Sequence, residues 1–212
     1  MVASHYNQIW DCCCDHGLLG MALLSRQAAP NIHFVDIVPH LITELEQKLE
    51  TFFSNSRSSW VTHCTDITKI ELKQNKAPHL VVISGVGGDL MTEFIEIIYR
   101  KHSNMSIDFL LCPVHHQFTL REKLIELEFS LIDENLVEDN QRFYEIMLVS
   151  SDSNPSAKIT SVGNKIWLSE STLQAKKAKI YRSKILDHYQ RMNKSSKHNV
   201  EHIIEAYNNV KI

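Results

Sequence analysis

Up to residue 128 the chain alternates short apolar runs with longer amphipathic ones, and after that the rhythm breaks. Strand-like runs lie at Gln8–Cys12, Ile32–Val35, Trp60–Cys64, Leu80–Ser84 and Asp108–Cys112. Helix-like runs lie between them at Leu18–Ala28, Leu41–Phe53, Leu90–His102 and Phe118–Glu128, with a weaker helical signal in the more polar Thr68–Lys76. Such alternation predicts βαβ units and a parallel sheet. The extended runs Phe129–Val137 and Phe143–Ser150 then follow each other across only five polar residues, the pattern of an antiparallel hairpin. A plain dinucleotide-binding domain would continue with strand and helix. The expected fold is therefore α/β, a Rossmann-like seven-stranded sheet with an antiparallel last strand.

The sheet domain is expected to occupy residues 1–152, with a linker and a C-terminal helical hairpin in 153–212. Residues 151–163 read as linker by composition. Beyond it, Ser169–Met192 carries Leu173, Tyr181, Ile185, Tyr189 and Met192 along one side, and Asn199–Val210 repeats the amphipathic spacing after a break at Asn193–Ser196. Charge divides along the same line. Residues 1–150 hold 11 Lys+Arg against 20 Asp+Glu, and residues 151–212 hold 11 against 5. An acidic body with a basic arm suits a polyanionic partner, met by Lys176, Lys177, Lys179, Arg182 and Lys184; the alternatives are a solvated helix surface, a packing element, or a dimerisation element that pairs two copies as a homodimer. No apolar run approaches the roughly 18 residues of a membrane span, and Met1–Gln8 lacks the apolar stretch of a signal segment. A cytoplasmic protein with no membrane partner is expected. The five cysteines include three in a row and no Cys-x-x-Cys spacing, so free thiols are expected and no metal site.

In an open α/β sheet the ligand-touching loops follow the carboxyl ends of the strands. The first such loop is Asp11-Cys12-Cys13-Cys14-Asp15-His16-Gly17. Two acids bracket it, which disfavours a phosphate and favours a cofactor with hydroxyls and cationic groups, as S-adenosylmethionine has. The second strand ends in Asp36, whose carboxylate can accept from both hydroxyls of a ribose. The third leads to Asp66, able to receive an adenine amino group, with Ile67 as apolar neighbour. The fourth runs into Gly85-Val86-Gly87-Gly88, where glycine permits close approach to the main chain. An Asp at a strand end also serves as a helix cap or turn former. Asp15 can cap the helix that follows it, and the glycine turn can be a helix start capped near Asp89 or Thr92. The Asn/Asp-Pro-Pro-aromatic signature of enzymes that methylate exocyclic amines is absent.

The order of these motifs carries a resemblance. Asp11–Gly17, Asp36 followed by Pro39, Cys64-Thr65-Asp66, Ile83–Gly88, Pro113 followed by Leu120-Arg121, and Phe143-Tyr144-Glu145-Ile146 together resemble the bacterial tRNA adenine-N1 methyltransferases of the TrmK type, class I enzymes that modify position 22. The similarity covers about residues 9–150, and the helical tail resembles the family's C-terminal region in kind and place. It implies S-adenosylmethionine as cofactor, held by Asp11, Cys13, Cys14, Asp15, His16, Gly17, Asp36, Ile37, Asp66, Ile67, Gly85, Val86 and Gly87. It implies tRNA, and no DNA, as partner, met by Gly88, Pro113, His115, His116, Arg121 and Tyr144 besides the basic arm. Tyr144 would stack on the base and Arg121 would hold phosphate. Asp15 would be the catalytic acid that holds adenine N6 or accepts its proton.

The chain departs from the family at Cys13 (Gly), Asp36 (Glu), Val86 (Met) and Cys112-Pro113-Val114 (Gln-Pro-Asn), and it begins close to its first strand, where the family carries a helical segment. Two other readings stand beside the first: methylation of another RNA or a small molecule, and a non-catalytic RNA-binding or interaction protein that retains the fold.

Overall fold

The computed structural model describes residues 6–73, 79–168, 171–194 and 199–212. Seven strands form one sheet: β1 (Gln8–Cys12), β2 (Asn31–Asp36), β3 (Ser59–Cys64), β4 (His79–Ser84), β5 (Ile107–Cys112), β6 (Ser130–Asp139) and β7 (Arg142–Ser150). Their spatial order is β3-β2-β1-β4-β5-β7-β6. The first five pair in parallel, and β7 runs antiparallel to both β5 and β6. The helices are α1 (Leu18–Ser25), α2 (Pro39–Phe53), α3 (Gly88–Lys101), α4 (Gln117–Glu126), α5 (Thr172–Lys194) and α6 (Glu201–Asn208). A single 3-10 turn, Ile67–Lys69, stands where Thr68–Lys76 gave a helical signal, and residues 74–76 of that stretch lie outside the described residues.

Burial explains the strand order. The run His79-Leu80-Val81-Val82-Ile83 is buried throughout, as a parallel strand covered on both faces must be, and it takes the centre beside β1. β3, with no buried residue, takes the edge. One core lies under α3 and α4 and a second under α1 and α2. The hairpin turns in two residues, Asn140 and Gln141, with φ 47° and 64°, and Asp139 pairs with Arg142. Positive φ at both central positions is what a twisted two-residue hairpin requires, so the turn is shorter than the five polar residues suggest.

The tail is packed rather than extended. Phe118 of α4 joins Ile166, Trp167, Tyr181, Tyr189, Ile203 and Tyr207 in a third core, with Leu136 and Phe143 of the hairpin against it. The apolar faces of α5 and α6 lie against the chain's own body, as the packing reading of the tail expects. The linker is also held: Leu131 N–H donates to Ala157 O at 2.7 Å, and Ile159 is buried in the first core.

Candidate active site

Strand order reverses between β1 and β4, so the crevice at their carboxyl ends gathers the loops after β1, β2, β3 and β4. Asp36 organises it. Its Oδ2 accepts the N–H of Asp15 at 2.9 Å and its Oδ1 that of Val38 at 3.0 Å, tying the first loop to the second. Each carboxylate oxygen retains acceptor capacity for a further donor. Asp66 caps the 3-10 turn with Oδ1, which takes the Thr68 N–H at 2.8 Å and the Thr68 hydroxyl at 2.7 Å. Those two bonds hold its carboxyl below the usual range, and Oδ2 lies outside them. The helix-cap and ligand roles of this residue are thus compatible.

Cys13, Asp36, Ile37, Asp66 and Ile67 line one cavity of about 230 Å³ with Val35, Thr65, Leu90 and Phe94. Leu90 and Phe94 were not singled out in the sequence. They sit on the first turns of α3, where an amphipathic pattern reads as core, yet Leu90 is 44% exposed and Ile37 64%. Apolar side chains left open around two carboxylates suit a planar ring bearing hydroxyls and amino groups.

The first loop is shaped by backbone demands. Cys13 and Asp15 have φ 55° and 50°, left-handed conformations that cost a residue with a Cβ about 1 kcal/mol. Gly17, with φ 69°, begins α1, and a Cβ there would strike Leu45. Asp15 is not the cap of α1. That role falls to Asp11, 2% exposed, whose Oδ2 accepts the Gly20 N–H at 2.8 Å. Burial, opposed by that bond and assisted by Asp36, raises the Asp11 carboxyl to about 7. Asp11 does not line the cavity; it underpins the loop. Asp15 and His16 are exposed at the tip, 3.7 Å apart. Cys14 is buried, and its N–H donates to Val35 O at 3.1 Å. Burial, then Asp36, Asp11 and Asp66, pushes the Cys13 thiol up to about 11, leaving it protonated and unsuited to nucleophilic work.

The glycine turn meets the loop after β5. Gly85 is open, with nothing within 4 Å of a built Cβ, whereas a Cβ on Gly88 would strike the His116 carbonyl. Gly88 N–H donates to His115 O at 2.8 Å and Val114 N–H to Val86 O at 3.0 Å, and the His115 ring covers Gly87. Asp89 receives a hydrogen bond from His116. A second cavity, about 500 Å³, lies on this side, between the 114–117 loop, the hairpin tip with Tyr144, and α5.

Three substrate-facing expectations are corrected. Arg121 is fully buried: its guanidinium bonds Glu145 at 2.8 Å and Glu134 at 2.7 Å, and Nη1 donates to Thr160 O at 3.3 Å. Burial works against its charge, but the two carboxylates hold the proton on. It has no surface to offer a phosphate. Gly88 and Pro113 are also buried and serve packing. In the basic arm Lys177 pairs with Glu138 at 3.4 Å and Arg182 donates to Val210 O at 2.8 Å, which leaves Lys176, Lys179 and Lys184 as the exposed cations of that set.

Solved structures share this fold. The B. subtilis m1A22 tRNA methyltransferase TrmK matches with 19% identity over 96% of this chain and 88% of its own, TM-score 0.71. M. capricolum TrmK, in complex with the cofactor product S-adenosyl-homocysteine, matches with 15% identity over 98% and 89%, TM-score 0.70. Magnesium protoporphyrin IX methyltransferase from Synechocystis with bound SAM matches less of the chain, 68% against 69% of its own, at 15% identity and TM-score 0.53. No curated protein matches in sequence. The family model described as a methyltransferase domain matches residues 1–147, well over half of the length, and this chain belongs to that family.

Proposed function

We propose that this protein is an S-adenosylmethionine-dependent methyltransferase that methylates N1 of an adenine, position 22, in tRNA. The observation that carries it is the cavity at the switch point, where Asp36 and Asp66 stand among Ile37, Leu90 and Phe94. The residues fit the cofactor: Asp36 has acceptor capacity for the ribose hydroxyls, Asp66 Oδ2 for the adenine amino group, and Ile37 and Leu90 offer apolar contact to the ring. The first loop and Gly85 flank the methionine end. The likeness to two TrmK structures over nearly the whole chain supports the substrate. A tRNA substrate also accords with a cytoplasmic site of action and with the exposed Lys176 and Lys179.

When bound, the cofactor supplies a methyl group on a sulfonium. Adenine N1 has its own lone pair, so the chain's residues mainly align the two centres. Asp15 stands exposed on a loop tip whose backbone is tied to Asp36. Its carboxylate accepts a hydrogen bond from the N6 amino group and offsets the positive charge that the ring gains when N1 takes the methyl. His115, lying on Gly87, borders the approach of the target base.

Titration of the full chain with S-adenosyl-homocysteine tests the cofactor assignment, with measurable heat expected and at least about tenfold weaker binding for Asp36→Ala. Equal affinities would sink it. Nucleoside mass spectrometry of tRNA incubated with enzyme and labelled cofactor then tests the substrate, and label appearing on a base other than adenine would overturn that part.

A further inference from the structure

The two cavities flanking the start of α3 differ in charge. The smaller is lined by Asp36 and Asp66. Among the described residues, the larger has no carboxylate in its lining, although residues 1–150 carry 20 acids against 11 bases. It holds instead Arg142 of the hairpin, Lys184 of α5 and the imidazoles of His115, His116 and His188. The carboxylates behind it are engaged, Asp89 by His116 and Glu145 by Arg121 and Tyr181. A locally basic hollow thus lies between the acidic body and α5, next to the glycine turn.

Its walls are aromatic. Phe143 and Tyr144 come from the hairpin and Tyr189 from α5, and Lys184 Nζ lies 4.8 Å from the centre of the Phe143 ring while donating to Gln141 O at 2.9 Å. At about 500 Å³ it falls within the range of small-ligand sites. Gln141 and His116 on its rim hold left-handed backbone, with φ 64° and 58°, a conformation that surrounding structure must sustain. Aromatic faces beside cations, without a competing carboxylate, are the means by which proteins hold an unpaired nucleotide: the base stacks and the phosphate pairs.

Resting on the reading of the chain as an RNA methyltransferase, we propose that this cavity seats an RNA nucleotide adjacent to the one methylated, its base against Tyr144 and its phosphate between Arg142 and Lys184. Helix α5 thereby becomes a wall of the substrate site, through residues other than Lys176 and Lys179.

The test measures fluorescent tRNA binding across a salt series for the full chain, Arg142→Glu and Tyr144→Ala, with S-adenosyl-homocysteine titration alongside. Arg142 and Tyr144 lie on the hairpin, away from the smaller cavity, so retained S-adenosyl-homocysteine binding reports an intact fold. Arg142→Glu is expected to weaken tRNA binding about tenfold or more and to reduce the salt slope by about 1. Tyr144→Ala is expected to weaken it about tenfold with the slope unchanged, because stacking releases no counterion. Wild-type affinity and slope in both variants would overturn the nucleotide seat alone. Displacement of tRNA by polyglutamate as effectively as by polyadenylate would overturn it in favour of an acidic protein partner. Absence of S-adenosyl-homocysteine binding by the unmodified chain would instead bring down the methyltransferase reading itself.

Discussion

Asp11 shows how a residue in the right motif can act one layer behind its expected place. Its carboxylate caps α1 through Gly20 and is raised to about 7 by burial first, with Asp36 adding to it. The unfolded chain would ionise Asp11 near pH ~4. Between that pH and about 7 the folded state therefore holds a proton that the unfolded state has lost, so this group makes stability fall as pH rises, by at most about 1.4 kcal/mol per pH unit. Denaturant unfolding at several pH values is expected to show that falling component in the native chain relative to Asp11→Asn, and parallel pH profiles would refute it. Cys13, two residues on, accounts for the family's glycine at its position: φ is 55° there, and a thiol has been accommodated where a hydrogen would suffice.

At the scale of elements, the hairpin, α4 and α5 are joined by one buried polar network. Arg121 of α4 bonds Glu134 of β6 and Glu145 of β7, and the Tyr181 hydroxyl of α5 donates to Glu145 at 2.7 Å. Glu134 Oε1 also receives the N–H groups of Asn164 and Lys165, which draws in the segment before α5. Such a network gives modest net stability when complete, but losing one member leaves buried charges uncompensated. Arg121→Met is expected to destabilise the protein by about 3–5 kcal/mol in urea unfolding, since two carboxylates would be stranded. A phosphate-binding role would instead leave stability near that of the native chain and reduce tRNA affinity.

For the whole molecule, the third core makes the tail part of the fold that carries the site. Phe118, Leu136 and Phe143 belong to the sheet-bearing part, and Trp167, Tyr181 and Tyr207 cover them. Trp167 and Tyr181 stack with ring centres 5.7 Å apart, and Tyr189 and Tyr207 at 6.2 Å. Removing residues 164–212 would expose that surface and take Tyr181 from Glu145. We expect one cooperative thermal transition for the full chain, and for the truncated chain a lower melting temperature together with a loss of S-adenosyl-homocysteine binding. A truncated chain that melts and binds like the full one would show the tail to be an independent arm.

What could be read directly from the residues was local. The alternation of apolar runs determined the strands and helices, because period and length act within a segment; the acids Asp36 and Asp66 were visible because strand ends in an open parallel sheet point to one edge. The break after residue 128 determined the hairpin for the same reason. Tertiary structure alone decided which acid caps and which faces the cavity, that Arg121 is sealed between Glu134 and Glu145, that Leu90 and Phe94 border the smaller cavity, and that α5 closes a basic hollow over an acidic body. Those outcomes depend on contacts between residues far apart in the chain, where burial sets both the charge a side chain can keep and the partner it must find, and no pattern along the sequence encodes that distance.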